Sequence, residues 1–392
     1  MGSPRLFHPF IVAISLVPLV VTAFPEVSGD TCDCYLTNGS SSNWFTTHKF
    51  FDFRDKSGDA RVPALIDDPT ESSEASATND YLLSDDWTGY WTLQSWNNSA
   101  SLGTDVGDAS ILMVHSPNNV YIENNADENA DSSTYLTMRT ARLDDYQSAS
   151  EFESNIQNYH FLSVRMYART TGAPGAVTAM FTYKQLDNSD DLTAVQESDL
   201  EIRTLDPPNS VQYTNQPSYT SQGLNLADAT RNVTIPKERD WTNWAVYRMD
   251  WSPSATTWYI DGDEVASISF QTPRDPSMLI FNSWSDGGSW TGNMSVGSEA
   301  RLQVQWIELV YNTTGSDSNG KKTRREETEI FSQIEKRDGQ FCENVCSIDE
   351  TSTVGTTVLI QGSSASGLLK QFGGLEPIYF AVSVLSMILA FW

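Results

Sequence analysis

Between residues 134 and 311 the chain alternates apolar and polar positions with a period of two, in short runs separated by turn residues. In TYLTMRTARL, Leu136 and Met138 fall on one face of an extended strand. In HFLSVRMYA, His160, Leu162, Val164 and Met166 share a face; in AVTAMFTY, Val177, Ala179, Phe181 and Tyr183 do. WYIDGDEVASI predicts two strands joined through Asp261 and Gly262, because both residue types tolerate the positive φ of a tight hairpin. RLQVQWIELVY closes the series, with Leu302, Val304 and Trp306 alternating against polar partners. No run in this span has the 3.6-residue period of an amphipathic helix. Many strands and frequent turns predict an all-β domain, two antiparallel sheets packed as a β-sandwich.

The flanks differ. Residues 55–131 are rich in Asp, Ser and Asn, with isolated aromatics at Trp87, Tyr90, Trp91 and Trp96, and predict loops and a few strands wrapped around the sandwich. The division along the chain is 24–49, an N-terminal segment with one cysteine pair; 50–312, the main domain; 313–350, a charged linker with a second pair; and 351–367, a Ser/Thr/Gly-rich stalk read as flexible. Within the linker Ile330, Phe331 and Ile334 suit one short helix docked on the domain. Its basic pairs, such as Lys336-Arg337, read as solvated charge rather than processing sites.

Both ends carry targeting patterns. Arg5, an apolar run from Phe10 to Val21 and small residues ending at Ala23 form a secretory signal peptide over 1–23. At the other end QGSSASG, the spacer LLKQFGGLEP and the apolar tail IYFAVSVLSMILAFW follow the pattern of a glycosylphosphatidylinositol (GPI) attachment signal. The alternative, a tail-anchored helix, is disfavoured: the tail is shorter than the ~20 residues that span a bilayer, and no basic residue follows it. Ser363, Ser364 and Ser366 are the attachment candidates, and 368–392 the propeptide removed on anchoring. The expected location is the cell surface, on the plasma membrane or cell wall. Sequons at Asn38, Asn97, Asn232, Asn293 and Asn312 mark glycosylation positions expected at the surface. Cys32, Cys34, Cys342 and Cys346 flank the main domain, and in an oxidising compartment they predict two bridges stapling the N-terminal segment to the region after the domain. A metal site is the alternative, but no His lies near these cysteines, and neither a metal nor a cofactor is expected.

Charge narrows the partners. With 51 acidic against 24 basic residues, a formal charge of -27 disfavours nucleic acid and anionic surfaces, whereas a neutral polysaccharide meets no such objection. The 12 Trp, 15 Tyr and 17 Phe can fill a core or offer flat faces to sugar rings. A monomer is expected.

Within QESDLEIR, Glu197, Asp199 and Glu201 occupy alternate positions. In so acidic a chain chance supplies such a row roughly once, so its surroundings decide. On a strand the three carboxylates share one face while Ser198 and Leu200 point into the sandwich. The outer Cα atoms would stand ~13 Å apart, and strand curvature and two long side chains can close much of that gap. Carboxyls about 5 to 5.5 Å apart serve a retaining glycosidase, one attacking the anomeric carbon and the other protonating the leaving oxygen and then activating water. A carboxylate between them orients a neighbour, and its charge helps one member keep its proton. Of the histidines beyond the leader, His48, His115 and His160, the last sits on an apolar face and reads as packed. No nucleophile elbow, phosphate loop or His-Glu-x-x-His motif is present.

The ordered blocks GAVTAMFTYK, ESDLE, YRMDWSPSATTWYIDGDEV and LIFNSWSDGGSWTG resemble glycoside hydrolase family 16 over roughly 50–311. TYLTMRTARLDDYQSASEFES further resembles fungal secreted members, which often carry lipid-anchor signals. The resemblance implies a concanavalin A-like jelly roll and a β-glucanase or glucan transglycosylase acting on cell-wall β-glucan. It makes Glu197 the nucleophile, Asp199 its helper and Glu201 the general acid/base, with Asn282, Trp284 and Trp290 in contact with sugar. Two positions depart from the pattern. Ser198 stands where an apolar residue is usual, and Ala245 where many members have His. A non-catalytic, lectin-like glycoprotein and a structural surface glycoprotein are the alternatives.

Overall fold

The computed structural model describes residues 24–103, 108–184, 194–314 and 342–362. The expected signal peptide, the candidate anchor serines with their expected propeptide, and the expected linker helix fall outside the described residues.

Among the described residues seven strands form the first sheet, in the order Thr230–Thr234, Ser210–Gln216, Glu197–Arg203, Val177–Tyr183, Met278–Trp284, Gln147–Ser154, Trp91–Leu93. All six pairings are antiparallel. From Gln147–Ser154 the hydrogen-bonded path continues through Thr134–Arg142, Glu299–Thr313, Tyr159–Gly172, Ala245–Trp251, Thr256–Ile260 and Asp263–Ile268, which make the second sheet. The two sheets pack face to face. Phe152, Met180, Leu200, Val211 and Phe281 of the first meet Met138, Val164, Met249, Trp258 and Ile307 of the second in one buried cluster. At ~25 cal/mol per Å2, the apolar area removed from water in this cluster drives the closure. The fold is thus the expected all-β sandwich.

Local chemistry accounts for the details. Asp261 and Gly262, at φ 49° and 82°, make the hairpin turn between Thr256–Ile260 and Asp263–Ile268. Leu136, Met138, Leu302 and Val304 face the core as the alternation predicts. Two positions do not. Trp306 leaves the core face because Gln305 is an extra residue in the pairing with Tyr159–Gly172, so that Ile307 and Leu309 take the inward positions. Trp306 instead stacks on Tyr167 on the outer face, with ring centroids 5.9 Å apart. A second register shift, between Tyr159 and Leu162, brings both Phe161 and Leu162 into the core, and His160 Nε2 lies 3.0 Å from the Arg274 carbonyl.

The described residues of 55–131 supply three strands, two one-turn α-helices and two 3-10 turns. The helix Pro69–Ser73 starts where Asp68 accepts from the Thr70 and Glu71 N–H groups. Trp87 and Trp91 fill the core, whereas Trp96 is exposed.

The termini build a separate, third sheet of five strands, in the order Glu26–Val27, Thr357–Gln361, Val345–Ser347, Cys34–Leu36, Trp44–Phe45. Cys32 bonds Cys346 and Cys34 bonds Cys342, as the flanking pairs predict. Thr357–Gln361 corrects the reading of 351–367 as a flexible stalk: the β-branched run TVLI inside the Ser/Thr/Gly stretch is a paired strand with Val358 and Leu359 buried. This sheet rests on the outer face of the second layer, where Tyr35, Phe45, Ile348 and Leu359 surround Val310. Buried ion pairs fasten it: Asp349 accepts from Arg165 at 2.6 Å and Arg248 at 3.4 Å, and Arg248 Nη2 also meets Asp250 at 2.6 Å. Asn312 departs from its expected place at the surface. It is 8% exposed, its Oδ1 accepts from Thr46 and its Nδ2 donates to the Trp44 carbonyl, so the nitrogen that would carry a glycan is committed.

Candidate active site

The strand Glu197–Arg203 obeys the period of two. Leu200 and Ile202 enter the core, and Ser198 points inward with them. The Ser198 hydroxyl is not stranded there: it bonds Asn215 Oδ1 at 2.7 Å and the Thr256 hydroxyl of the facing sheet at 2.8 Å. Ala245 is buried in the second sheet, in the core cluster. Glu197, Asp199 and Glu201 therefore project together from the outer face of the first sheet.

Strand register extends this face into rows. Asn232, Gln212, Glu201, Ala179, Asn282 and Glu151 lie opposite one another across six strands. The neighbouring row runs Thr230, Thr214, Asp199, Phe181, Ile280, Glu153. The shared face predicted for Val177, Ala179, Phe181 and Tyr183 is this cleft face; Met180 between them is the core residue. The carboxylate strand divides the cleft in two. A cavity of about 460 Å3 lies on one side, lined by Trp96, Glu151, Glu153, Tyr183, Asn282 and Trp284, and one of about 230 Å3 on the other, lined by Gln212, Gln216, Tyr219, Asn232 and Trp290. All three carboxylates border both. The structure thus brings Asn282, Trp284 and Trp290 to the row.

Burial, first, raises all three acids. Glu197 is pushed up to about 7, with a hydrogen bond from Asp199 acting against the rise. Asp199 is pushed well above the usual range by burial and then by the charges of Glu197 and Glu201. Glu201 rises to about 7 through burial and the Glu197 charge, opposed by the Trp290 indole and by Arg203. Asp199 is 2% exposed; Gln216 Nε2 stands 3.5 Å from its Oδ2, and no protein donor reaches its Oδ1. An ionised Asp199 would leave that oxygen unmet, whereas a protonated one donates to Glu197. Trp290 is presented by the loop Ser285–Gly292, where Asp286 Oδ1 accepts from Gly288 N and Thr291 Oγ1 and Asp108 Oδ2 from Ser289 N. Gly287, at φ 72°, has no room for a side chain: a Cβ would stand 2.5 Å from Ser110 Oγ. The Arg203 guanidinium covers the Trp290 ring at 4.3 Å.

The sequence reading missed the far wall. Trp96 Nε1 donates to Glu151 Oε1 at 2.7 Å, and Asn282 Nδ2 lies 3.4 Å from Oε2. Burial raises Glu151 against these two bonds, and burial with the Glu151 charge brings Glu153 to about 7. His115, 4.3 Å from the Trp96 ring, is kept neutral by burial, its pKa lowered to about 3. Alternation in SEFES was a signal for this pair, but only pairing places it opposite the row. Among the described residues no group of three or more His, Cys, Asp or Glu is arranged to hold a metal ion.

The model of the glycosyl hydrolases family 16 matches residues 113–308, half of the chain. A beta-glucanase of Paenibacillus polymyxa is 23% identical over 226 residues, 57% of this chain and 88% of that one. A beta-glucanase of Bacillus licheniformis is 24% identical over 155 residues, and the match spans 39% of this chain and only 59% of that relative. The Crh-like protein UTR2 of Candida albicans is 26% identical over 113 residues, 26% of this chain and 22% of that one. Among solved structures, a prokaryotic β-1,3-1,4-glucanase (lichenase) from a mouse hindgut metagenome aligns with 68% of this chain and all of its own, at 17% identity and a TM-score of 0.42. By the family match over the span that carries the carboxylate row, the chain belongs to the glycosyl hydrolases family 16.

Proposed function

We propose that the protein is a retaining glycosidase that cuts or rearranges cell-wall β-glucan through a covalent glycosyl-enzyme. The observation that carries this reading is the row Glu197, Asp199, Glu201 on one face of a strand at the floor of a divided cleft, with all three carboxylates bordering both halves. Roles follow the family resemblance, and the electrostatics of the row agree with them: burial and then the Glu197 charge raise Glu201, whereas Asp199 opposes the burial-driven rise of Glu197. Glu197 is then the carboxylate that attacks the anomeric carbon, and Glu201 the acid whose proton goes to the leaving oxygen. In the second half-reaction the Glu201 carboxylate takes a proton from water or from a sugar hydroxyl, whose oxygen displaces Glu197. Trp284 and Trp290 offer ring faces to the sugars, and Asn282 holds Glu151 in the wall.

The test is product analysis. Incubated with laminarin, mixed-linkage glucan, chitin oligomers and xyloglucan, with and without labelled acceptor sugars, the wild-type chain should give shortened or labelled products by mass spectrometry. Glu197→Gln should lose turnover and keep glucan binding. Wild-type chain that yields no product from the whole panel would refute the enzyme reading. The leader and the tail pattern support a secreted, lipid-anchored enzyme. Release from membranes by a phosphatidylinositol-specific phospholipase tests that placement, and a tail retained on the mature chain counts against it.

A further inference from the structure

Asn232 begins the sequon Asn232-Val233-Thr234, and it also lines the smaller half of the cleft. It lies on the strand Thr230–Thr234, the outermost of the first sheet, and both Asn232 and Thr234 are exposed. Asn232 pairs with Gln212, and Gln212 with Glu201. Paired residues share a face, so the Asn232 amide stands on the cleft floor two strands from Glu201, about 10 Å away at ~4.8 Å per strand. The other exposed sequons, Asn38, Asn97 and Asn293, line neither half of the cleft.

We propose that Asn232 carries an N-linked glycan that occupies the smaller half of the cleft and limits which sugars bind there. The first N-acetylglucosamine, joined through Nδ2, starts in the space bordered by Gln212, Tyr219 and Trp290. That space holds about 230 Å3, against about 460 Å3 on the other side, so a branched glycan rooted at its outer edge leaves room beside the row and competes with a substrate sugar further out. Its neighbours Gln212, Thr214 and Asn225 hydrogen-bond sugar hydroxyls of either origin. The glycan is uncharged and leaves the acids unneutralised, so it acts through space and not through their protonation. The effect is selective. Substrates that reach only a sugar or so past Glu201 react as before, and those that extend further across the smaller half, toward Asn232, lose contacts. The inference rests on the glucan-cleaving reading.

The experiment compares three full chains secreted from a eukaryotic host: wild type, Thr234→Ala, which deletes the sequon and keeps Asn232, and Thr234→Ser, which keeps the sequon. Glycopeptide mass spectrometry should find Asn232 modified in the first and third. Against a ladder of β-glucan oligosaccharides, Thr234→Ala should raise kcat/KM for the longer members about tenfold or more, the equivalent of one sugar contact of ~1.4 kcal/mol, and leave the shortest nearly unchanged. Thr234→Ser should match wild type. An unmodified Asn232 in secreted wild type, or equal length profiles for Thr234→Ala and wild type, overturns the proposal. If all three chains are inert on every glucan, the enzyme reading fails and this inference falls with it.

Discussion

Glu201 and Glu151 face each other along one cross-strand row, with only Ala179 and Asn282 between them. Three strand spacings separate them, ~14 Å, enough for sugar units to lie between two carboxyl walls. Each acid has an indole beside it: Trp96 Nε1 donates to Glu151 at 2.7 Å, and Trp290 opposes the burial-driven rise of Glu201.

Glu201→Gln should lower kcat on glucan by about 10²- to 10⁴-fold, the usual contribution of a positioned acid/base. An activated aryl glycoside needs no proton on its leaving group, so its first step should suffer far less. Steady-state rates on both substrates check this, and equal losses would remove Glu201 from the acid role.

Trp290→Phe keeps a ring over the cleft but removes the donor to Glu201. That donor favours the ionised carboxylate, so its loss raises the Glu201 pKa further above its ordinary range. The alkaline limb of kcat/KM should move to higher pH by up to about one unit, the equivalent of ~1.4 kcal/mol. A limb that stays put or moves down would show that the indole does not govern this proton.

Stability should fall between pH ~4 and ~7. Free carboxyls titrate near 4, whereas burial raises Glu197 and Glu201 to about 7 in the folded chain. The folded state therefore holds more protons across that window, and their stabilising contribution, full below pH ~4, is lost as pH rises through 7. Against its burial, Arg165 and Arg248 keep Asp349 below its ordinary value, so its contribution is lost only on further acidification. Asp199→Asn keeps a donor to Glu197 and removes a carboxyl whose ionisation is opposed by burial and by the charges of Glu197 and Glu201. It should raise Tm at pH 8 by about 2–4 °C for each kcal/mol relieved and flatten the difference between pH 5 and pH 8. Calorimetry at the two pH values tests this, and a wild-type Tm higher at pH 8 than at pH 5 would contradict it.

The two disulfides are nested, at sequence separations of 314 and 308 residues. With Cys32–Cys346 closed, Cys34–Cys342 completes a ring of about eight residues, whereas the last bridge left closes a ring of about 300. By loop entropy, losing either one should cost roughly 2–3 kcal/mol, and losing the second a further 5 or so. Denaturant titration of Cys34→Ser/Cys342→Ser against the four-serine variant would show this steep second step; equal steps would contradict it.

The carboxylate row was legible because parity on a strand is a local property: Ser198 and Leu200 inward requires Glu197, Asp199 and Glu201 outward. What crosses between strands was not legible. Glu151 and Glu153 join the cleft only through the pairing of Gln147–Ser154 with Met278–Trp284. Trp306 was assigned inward because the extra residue at Gln305 leaves no mark in the apolar pattern. Thr357–Gln361 read as stalk because its neighbours dominate the composition, and one of its two partner strands, Glu26–Val27, lies more than 300 residues earlier.

The terminal sheet covers the outer face of the second layer, and the acids open from the outer face of the first. The molecule is thus polarised through its thickness. Residue 362 departs from the fastened side, so pulling on the chain there loads the disulfides and the Arg165–Asp349 pair rather than the cleft. On the proposed lipid anchor, the open face would be turned away from the point of attachment.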